Sequence, residues 1–570
     1  MKALTIILLF ILSSYLHIFA QSNESAKFNI VFTELMIDPT PFTGLPAYEY
    51  IEIYNRSDKP ISLLDWEIQI GNNSKTLPDT TILAGEYIII TNQNNYENYL
   101  NYGKVIPVKS LAALNNEGQL IKILNEDSVL IDFVSYNTSW YNDKIKVDGG
   151  WSLEKIDPNY FCNDLNNWTA SINYKGGTPC QINSVNNNIN DTQELEVLRL
   201  GLDNDSSIIV YFNKFITDKN IINQNNWIIN KELNPICCTI DEIHPSIVYL
   251  KFDYSFIKNT SYVLEFNGDL NDCYKEGSHS FRESICLPDS IVFNDIIINE
   301  ILFDCSDDNA EFIELYNNSN KCLDIAQMKL LLFENDNINN AIPISLYSYI
   351  FFPDDYVIIS KSPKSIFRKY FSANTNKYIQ LENIFVLNNE GATIGISVYG
   401  FNIIDKVYYS PDMHSPSLTN HKDVSLERIN PKENSLNKYN WTSASYTVGY
   451  ATPAYKNSQY LNHKEENSYI YFDKEYFSPD NNGADDVLTI NLNLAKTPVS
   501  ANIYIYTENG ILIKKLINNQ IISKIDKIYW DGTNDDSIIM PPTNYILYFE
   551  IASIDGSVYK EKKICYLVKK

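Results

Sequence analysis

The feature that most constrains how this chain folds is an internal repeat. Residues 49–55 read EYIEIYN, and residues 311–317 read EFIELYN. Three further segments recur in the same order, each displaced by 273 positions: LNNEG from Leu114 to Leu387, SLEK/SLER from Ser152 to Ser425, and NWT from Asn167 to Asn440. Matches that keep one order and one displacement indicate two copies of a single domain. A duplicated module is more typical of binding or spacing than of catalysis.

The strand signals along the chain predict an all-β protein. Hydrophobic residues make up 44% of the 570 residues, with 41 Tyr and 26 Phe, which suits β-structure better than disorder. Leu488, Ile490 and Leu492 alternate with polar residues, Asn509-Gly510 predicts a hairpin turn, and no long stretch has a helical period. At about 100–200 residues per domain, we expect about four domains in a multidomain string of β-sandwiches.

The first twenty residues predict a secretory signal peptide. Lys2 supplies the positive start, residues 6–12 are apolar, and Ala20 is a small residue at the expected cleavage point. A transmembrane anchor is the alternative, but Ser13 and His17 interrupt the apolar run. No later segment has eighteen consecutive apolar residues. We therefore expect a secreted or cell-surface protein with no membrane span after the signal peptide is removed.

The charge balance bears on the partners of the chain. There are 45 Lys and Arg against 70 Asp and Glu, which gives a net charge of −25. Such a surface repels phosphate backbones and attracts cations, so we expect no nucleic-acid partner.

Motifs of the repeated unit carry a family resemblance. Each copy opens on a strand with a Glu, at residues 30–35 and 297–302, and continues through the four repeated segments in one order. This order resembles the lamin tail domain, an immunoglobulin-like β-sandwich of nuclear lamins and of many exported bacterial proteins. The resemblance covers residues 28–182 and 293–456, and it implies an immunoglobulin-like sandwich for each copy.

The other two regions resemble further immunoglobulin-like domains. VYFNK at residues 210–214 is similar to the bacterial domain found in surface-layer proteins. FSPDNNGADD at 477–486 and WDGTND at 530–535 resemble the domain of flagellar hook-capping proteins and the C-terminal domains of gliding-motility-associated proteins. The last resemblance implies an address for type IX secretion and surface attachment.

Together, these signals predict the following domains: signal peptide 1–20, first lamin tail domain 21–183, linker 184–192, bacterial immunoglobulin-like domain 193–290, second lamin tail domain 291–456, linker 457–467, and C-terminal hook-capping-like domain 468–570.

One acidic loop is a candidate metal site. Asp480, Asn482, Asp485 and Asp486 offer oxygen ligands at close spacing around Gly483, which suits a hard cation such as calcium (Ca²⁺). The loop lacks the bidentate Glu of an EF-hand and precedes a strand. The alternative is a polar turn in which Asp and Asn side chains bond their own backbone. No other cofactor is expected.

A second acidic turn follows Trp530, with its polar side chains at Asp531, Asn534, Asp535 and Asp536. Here a turn beside a core Trp explains the pattern without a ligand.

No catalytic residue is predicted. Glu34, Glu52, Glu300 and Glu314 recur in both copies with apolar neighbours, which shared fold geometry explains without acid–base chemistry. The remaining candidates have structural readings: Trp168 and Trp441 as core residues, His414 and His421 without a metal or nucleophile motif around them, and Cys237-Cys238 as a structural pair.

The nine cysteines leave the disulfide pairing open. Export permits disulfides, and near neighbours in sequence are the candidate pairs: Cys162 with Cys180, Cys273 with Cys286, and Cys305 with Cys322.

The sequence as a whole predicts a non-catalytic exported protein that presents tandem immunoglobulin-like and lamin tail modules for adhesion or envelope structure. We expect an extracellular protein or a glycan as partner, and contact with the secretion machinery through the C-terminal domain. The alternative is an accessory binding subunit of an exported hydrolase or nuclease system. A structural envelope component without a ligand is the third possibility.

Overall fold

The computed structural model describes residues 27–160, 167–216, 218–268, 270, 280–306, 310–461 and 467–569. The predicted signal peptide, Cys162, Cys273 and residues 462–466 of the second linker lie outside these residues. The chain forms two compact units. The first takes the described part of Met1–Arg199 with Ser207–Asp253 and Val263–Glu283, and the second takes Leu200–Ser206, Tyr254–Tyr262 and Ser284–Lys570.

The predicted fold class is confirmed. Of the residues that the structure describes, 43% are in strands and 7% in helices, and the strands form many separate small sheets, as in a multidomain immunoglobulin-like all-β protein. Short 3-10 helices connect some of the strands, at Tyr96–Tyr99, Thr138–Tyr141, Lys146–Asp148, Lys219–Ile222, Gln224–Asn226, Ile325–Gln327, Pro411–Met413, Lys438–Asn440 and Tyr446–Val448.

The first copy of the repeat contains twelve strands in the part of the chain that the structure describes. They are β1 Ile30–Met36, β2 Tyr50–Asn55, β3 Ile61–Ser62, β4 Glu67–Ile70, β5 Asn73–Thr76, β6 Thr81–Ile82, β7 Tyr87–Asn92, β8 Lys104–Val108, β9 Gly118–Leu124, β10 Leu130–Asn137, β11 Leu153–Lys155 and β12 Trp168–Ala170. Their main sheets have the orders β12-β11-β1-β2-β7-β8 and β10-β9-β4-β5.

The core of the first copy lies between these two sheets. Phe32 and Ile53 come from the six-stranded sheet, whereas Ile68 and Ile121 come from the four-stranded sheet, and all four are fully buried in one cluster. Burying an aliphatic or aromatic side chain of this size stabilises a fold by about 1.5–3 kcal/mol. The two-residue alternation of apolar side chains along each strand therefore sets which face of the sheet turns inward.

The middle region contains β13 Val197–Asn204, β14 Ser207–Phe212, β15 Trp227–Ile229, β16 Cys237–Ile240, β17 Ile247–Lys251, β18 Ser261–Asn267 and β19 Ser280–Cys286. Its sheets have the orders β13-β14-β17-β16 and β15-β18-β19. The three β-runs that the sequence predicts here correspond to β14, β17 and β18.

The second copy contains β20 Ile296–Leu302, β21 Phe312–Asn317, β22 Leu323–Asp324, β23 Met328–Glu334, β24 Asn337–Pro343, β25 Ile350–Phe351, β26 Tyr356–Ser360, β27 Tyr378–Gln380, β28 Ala392–Val398, β29 Asn402–Tyr409, β30 Leu426–Arg428 and β31 Trp441–Ser443. Its sheet orders, β31-β30-β20-β21-β26-β27 and β29-β28-β23-β24, repeat those of the first copy strand by strand. The shared displacement in sequence therefore corresponds to a shared topology.

A helix distinguishes the second copy from the first. Helix α1, Pro363–Lys369, follows β26, whereas a 3-10 turn at Tyr96–Tyr99 follows β7 in the first copy. Pro363 occupies the first turn, where its missing N–H costs nothing, and Arg368 and Lys369 end the helix on the side that favours positive charge. Ile366 packs into a cluster with Phe312 and Ile358 of the sheet.

The last region contains β32 Tyr469–Phe472, β33 Tyr476–Phe477, β34 Leu488–Asn493, β35 Val499–Thr507, β36 Leu512–Ile522, β37 Ile525–Trp530, β38 Thr543–Ser553 and β39 Val558–Leu567. The sheets β32-β34-β37 and β33-β39-β38-β35-β36 enclose one core. The predicted hairpin is confirmed, because β35 pairs antiparallel with β36 and Gly510 adopts a φ of +79° between them.

The structure pairs Cys286 with Cys322 in a disulfide, with their Cα atoms 6.5 Å apart. The predicted pairs Cys273–Cys286 and Cys305–Cys322 are therefore wrong, and Cys305 is a free, buried thiol. Cys286 ends β19 and Cys322 immediately precedes β22, so packing rather than sequence distance selects the partners. The third candidate pair includes Cys162, which lies outside the described residues.

No helix within the described part of the chain is long and apolar enough to cross a membrane.

Candidate functional site

The predicted calcium loop folds as a polar turn ahead of β34. Asp480 Oδ1 accepts the N–H of Asn482 at 3.2 Å, Asn482 Oδ1 accepts the N–H of Ala484 at 2.8 Å, and Asp486 Oδ2 accepts the N–H of Gly483 at 2.8 Å. Asp485 forms an ion pair with Lys474. These contacts are those of the alternative reading, a turn that bonds its own backbone, and calcium binding stays a prediction.

The second acidic turn also bonds itself. Asp531 Oδ1 accepts the N–H of Thr533 at 3.0 Å, and Asn534 Oδ1 accepts the N–H of Asp536 at 3.0 Å. Trp530 is fully buried and donates its indole N–H to the Thr533 carbonyl at 2.8 Å. Among the described residues, no three His, Cys, Asp or Glu side chains are grouped so that they could hold a metal ion.

Three glutamates form a buried row across the six-stranded sheet of the first copy. Glu34 on β1 lies in register with Glu52 on β2 and with Glu154 on β11, and all three are fully buried. The register of β1 on β2 shifts between Phe32 and Glu34, which marks an irregularity of the ladder beside the row. We call these three residues the first carboxylate row.

The first carboxylate row holds the chain that follows β12, residues 176–185, against the sheet. Glu34 Oε1 accepts the N–H of Thr178 at 2.8 Å, together with the hydroxyls of Tyr50 at 2.7 Å and Ser152 at 2.6 Å. The other two glutamates bind the same stretch: Glu52 accepts the N–H of Cys180, and Glu154 accepts the hydroxyls of Thr178 and Ser184 and the N–H of Val185. We call residues 176–185 the first return segment.

The second copy repeats this arrangement with Glu300, Glu314 and Glu427, the second carboxylate row. The second return segment is residues 450–459. Glu300 accepts the N–H of Thr452 at 2.9 Å and Glu314 accepts the N–H of Ala454 at 2.6 Å. Glu427 accepts the N–H of Gln459 at 2.8 Å. The two copies thus use equivalent carboxylates to bind equivalent backbone groups.

Burial and mutual repulsion raise the pKa values in both rows. Burial, with the neighbouring charge of Glu154, raises the pKa of Glu34 to about 7, and burial with Glu427 raises the pKa of Glu300 to about 8. Burial also raises the pKa values of Glu52 and Glu314 well above their usual range. Adjacent carboxylates that are removed from water cannot all ionise, so protons stay within each row at acidic and neutral pH.

Sequence reasoning found only two members of each row. Glu154 and Glu427 lie inside the repeated SLEK/SLER segment, and Thr178 and Thr452 lie in the Gly/Ala-Thr-Pro segment that ends each copy. Both signals are visible in the sequence. What is not visible is that β11 and β30 lie beside β1 and β20, which brings the third carboxylate into the row.

The tryptophans of the NWT segments are buried as the sequence predicts. Trp168 lies beneath Lys155, whose ammonium is 5.3 Å from the ring centroid, and Trp441 lies beneath the Arg428 guanidinium at 5.1 Å. Arg428 also forms a buried ion pair with Asp405 at 2.8 Å. Both rings are buried parts of the fold.

His414 and His421 come together, although seven residues separate them. Their rings stack with centroids 5.0 Å apart, and His414 Nδ1 lies 2.8 Å from Ser443 Oγ. Burial, reinforced by His421, lowers the pKa of His414 to about 3. The imidazole is therefore neutral at any physiological pH.

The cysteines of the predicted structural pair differ in exposure. Cys237 is exposed and Cys238 is buried on β16, and both are free thiols. Burial raises the pKa of Cys238 to about 12, so its thiol stays protonated and unreactive.

A cleft of about 760 Å³ lies between the second copy and the last region, inside one compact unit. We call it the inter-domain cleft. One wall is formed by residues 412–416, 429–430 and 437–442 with Glu433 and Leu461, and the other by residues 495–498 and 553–555. A concave site of this volume is within the range of about 300–1,000 Å³ that is typical of small-molecule sites.

Direct hydrogen bonds join the second copy to the last region. Tyr450 donates its hydroxyl to Gln520 Oε1 at 2.9 Å, and Gln459 Nε2 donates to the Ile522 carbonyl at 3.3 Å. Ser445 donates its hydroxyl to the Ile521 carbonyl at 3.2 Å. Two of these three residues belong to the second return segment, so the segment clamped by the second carboxylate row also fixes the neighbouring region.

The comparison with known families identifies one domain. The sequence profile of the Lamin Tail Domain matches residues 23–138, so the predicted resemblance is confirmed in the first copy. No curated protein matches the chain.

Solved structures give only distant likenesses. The S-layer protein rSbsC is 12% identical, over 66% of this chain and 54% of its own, with a TM-score of 0.15. PorZ of Porphyromonas gingivalis is 8% identical, over 80% of this chain and 56% of its own, with a TM-score of 0.17. The Bacteroides ovatus protein SGBP-B, solved in complex with a mixed-linkage heptasaccharide, is 7% identical. The match covers 84% of this chain and 86% of SGBP-B, with a TM-score of 0.16. The chain thus spans about half the length of rSbsC, and scores this low support no conclusion about function.

Proposed function

We propose that this chain is an exported, non-catalytic protein that presents tandem β-sandwich modules at the cell surface, for adhesion or for the structure of the envelope. One observation supports this most directly. The recurring acidic residues that could do acid–base chemistry are buried under the return segments, where they accept hydrogen bonds from backbone and hydroxyl groups. A general acid or base must reach its substrate, and these groups face the protein's own backbone.

The proposal includes the finer domain assignments. The second copy, residues 291–456, is a second lamin tail domain, supported by its identical sheet orders and its equivalent carboxylate row. Residues 193–290 are a bacterial immunoglobulin-like domain, and residues 468–570 are a hook-capping-like domain that carries the secretion address. The partner is an extracellular protein or a glycan.

Catalysis is tested on the full chain purified after export. We expect no turnover of nucleic acid, phosphate ester or polysaccharide, with or without added Mg²⁺, Mn²⁺ or Ca²⁺. The matched control carries Glu34→Gln and Glu300→Gln. Metal-dependent turnover by the unsubstituted chain that this control loses would overturn the proposal.

Location is tested by protease accessibility on intact cells. We expect the full chain to be cleaved by external protease and a chain without residues 468–570 to be retained inside. Because truncation can cause misfolding, residues 468–570 are also fused to an unrelated exported reporter, which we expect to reach the surface. A reporter that stays inside, with surface exposure of the truncated chain, contradicts the secretion address.

A further inference from the structure

We propose that the inter-domain cleft binds a neutral oligosaccharide, with Tyr439 as the ring against which one sugar unit stacks. This inference rests on the proposed function, since it assigns the place and chemistry of the partner. No residue of the cleft belongs to either carboxylate row.

Tyr439 is presented as an open aromatic surface. Its side chain is 78% exposed although it lines the cleft, and the Lys438 ammonium lies over the ring at 5.2 Å from the centroid. With a cation over one face and high exposure, the rest of the ring is accessible. Aromatic rings bury large areas at a low cost in side-chain entropy, and their negative faces suit the polarised C–H groups of a sugar ring.

The backbone under Tyr439 is fixed before any ligand arrives. Asn437 caps the 3-10 turn by accepting the N–H of Tyr439 at 3.1 Å, and Asn440 Nδ2 donates to the Asn430 carbonyl at 2.9 Å. On the opposite wall, Thr497 donates its hydroxyl to Gln459 Oε1. A cleft whose walls and aromatic residue are already ordered loses little entropy on binding.

The charges around the cleft favour a neutral ligand. Lys496 is already paired with Asp555, and the other lysine of the lining, Lys438, is outnumbered there by the carboxylates of Asp412 and Glu433. There is no excess of positive charge for a phosphate or a sulphate, and a chain with a net charge of −25 repels polyanions. Carboxylates beside an exposed ring suit a ligand with many hydroxyl donors and an apolar face, which describes a neutral sugar.

The shape of the cleft favours a small ligand over a protein. A stable protein partner needs about 800 Å² on each side of a contact, mostly on convex or flat surfaces. A concave space of about 760 Å³ with one exposed ring is closer to the sites of small molecules. The test must therefore distinguish peptide binding from oligosaccharide binding.

The test uses the full chain after export and isothermal titration with soluble neutral hexasaccharides: β-1,4-glucan, β-1,3-glucan, β-1,4-mannan, α-1,6-mannan and chitin oligomers. We expect at least one to bind, and Tyr439→Ala to weaken that binding at least tenfold. Tyr439→Phe, which keeps the ring, should stay within threefold. Because Tyr439 is exposed, its substitution should leave thermal unfolding unchanged, and the melting curve verifies this.

The matched control is Tyr174→Ala in the first copy. Tyr174 is 79% exposed and has the Lys175 ammonium 5.8 Å from its ring centroid, so it reproduces the same exposed pair outside the cleft. We expect this variant to bind within twofold of the unsubstituted chain. Equal losses in both variants, or no binding by any hexasaccharide, would overturn the inference, as would tighter binding of unrelated peptides that Tyr439→Ala abolishes.

The assay also separates this inference from the proposed function. Release of reducing ends from a bound hexasaccharide would contradict the non-catalytic proposal and leave the binding site standing. Surface exposure with no oligosaccharide binding would contradict the site alone.

Discussion

The two copies of the repeat keep the same interior and differ on the outer side of their return segments. Thr178 and Thr452 make equivalent bonds to the carboxylate rows. At the positions where the second copy uses Tyr450 and Gln459 to hold the next region, the first copy has Gly176 and Val185. Residues that determine the fold therefore recur in both copies, whereas residues that determine contacts with a neighbour do not.

The first copy has no room at Gly176 for the tyrosine that the second copy has at the equivalent position, Tyr450. Its φ is +96°, and a Cβ placed there would lie 2.2 Å from the Gly150 carbonyl oxygen. Tyr450, the equivalent residue, accepts a φ of +73°. A side chain at position 176 would therefore collide with the Gly150 backbone, a contact between distant segments that local sequence cannot reveal.

The largest expected effect comes from removing the central carboxylate of either row. Glu34→Ala leaves three buried donors without an acceptor, at Tyr50, Ser152 and Thr178, and each costs about 1–3 kcal/mol. We expect a loss of about 3 kcal/mol or more, and a similar loss for Glu300→Ala. Hydrogen exchange of the corresponding return segment measures each copy separately. If either substitution left the hydrogen-exchange protection of its own return segment unchanged, the two rows would not be equivalent.

The next largest effect is a loss of stability in both rows as the pH rises. Because the folded pKa values of Glu34 and Glu300 lie above the ordinary value of 4.5, their stability contribution is complete below pH 4.5. It is lost as the pH rises through about 7 in the first copy and through about 8 in the second. Exchange of the two return segments as a function of pH measures this. Glu34→Gln and Glu300→Gln, which cannot ionise, should each flatten the profile of their own copy only.

A smaller effect is expected from giving the second return segment the residues of the first. Gln459→Val removes the bonds to Ile522 and Thr497 and should cost about 1–3 kcal/mol of the coupling between the second copy and the last region. Limited proteolysis of the second return segment should become faster. The reciprocal change, Val185→Gln, is the control and should leave stability within about 0.5 kcal/mol. Equal proteolysis in Gln459→Val and the unsubstituted chain would mean that the return segment does not carry this coupling.

The smallest expected effect concerns calcium at the loop of Asp480, Asn482, Asp485 and Asp486. At 1 mM Ca²⁺ and the weak affinities of extracellular sites, about 10⁻⁴–10⁻³ M, binding would stabilise the last region by about 0.4–1.4 kcal/mol. Thermal unfolding with calcium and with a chelator measures the shift. Asp480→Asn with Asp486→Asn should abolish it. A shift that persists in this variant would place the cation elsewhere.

Most of the fold is predictable from the sequence because its signals are local or repeated. Alternating Leu488, Ile490 and Leu492 specify a strand by period alone, and Asn509-Gly510 specifies its own turn. The order of the repeated segments, three of which share a displacement of 273 positions, matches the two copies segment by segment, and it requires no knowledge of which strands pair.

What the sequence leaves open depends on contacts between distant segments. The partner of Cys286 is Cys322 because strand packing brings their Cα atoms together, and no spacing rule selects it over Cys273. The inter-domain cleft joins residues near 440 with residues near 555, which no motif connects. Glu154 enters the first carboxylate row only through the neighbouring position of β11.

The disulfide between Cys286 and Cys322 would also have a mechanical consequence if the chain is held at a surface, as we propose. It closes 36 residues of backbone, within which lie β20 and β21, the central strands of the second copy. A pulling force along the chain would be carried by the sulfur–sulfur bond. It would therefore not act on β20 and β21, the strands that contain Glu300 and Glu314. At about 3.4 Å per residue, the 36 residues between the two cysteines correspond to about 120 Å of extended chain. A pulling force could extend this segment only after the disulfide is reduced.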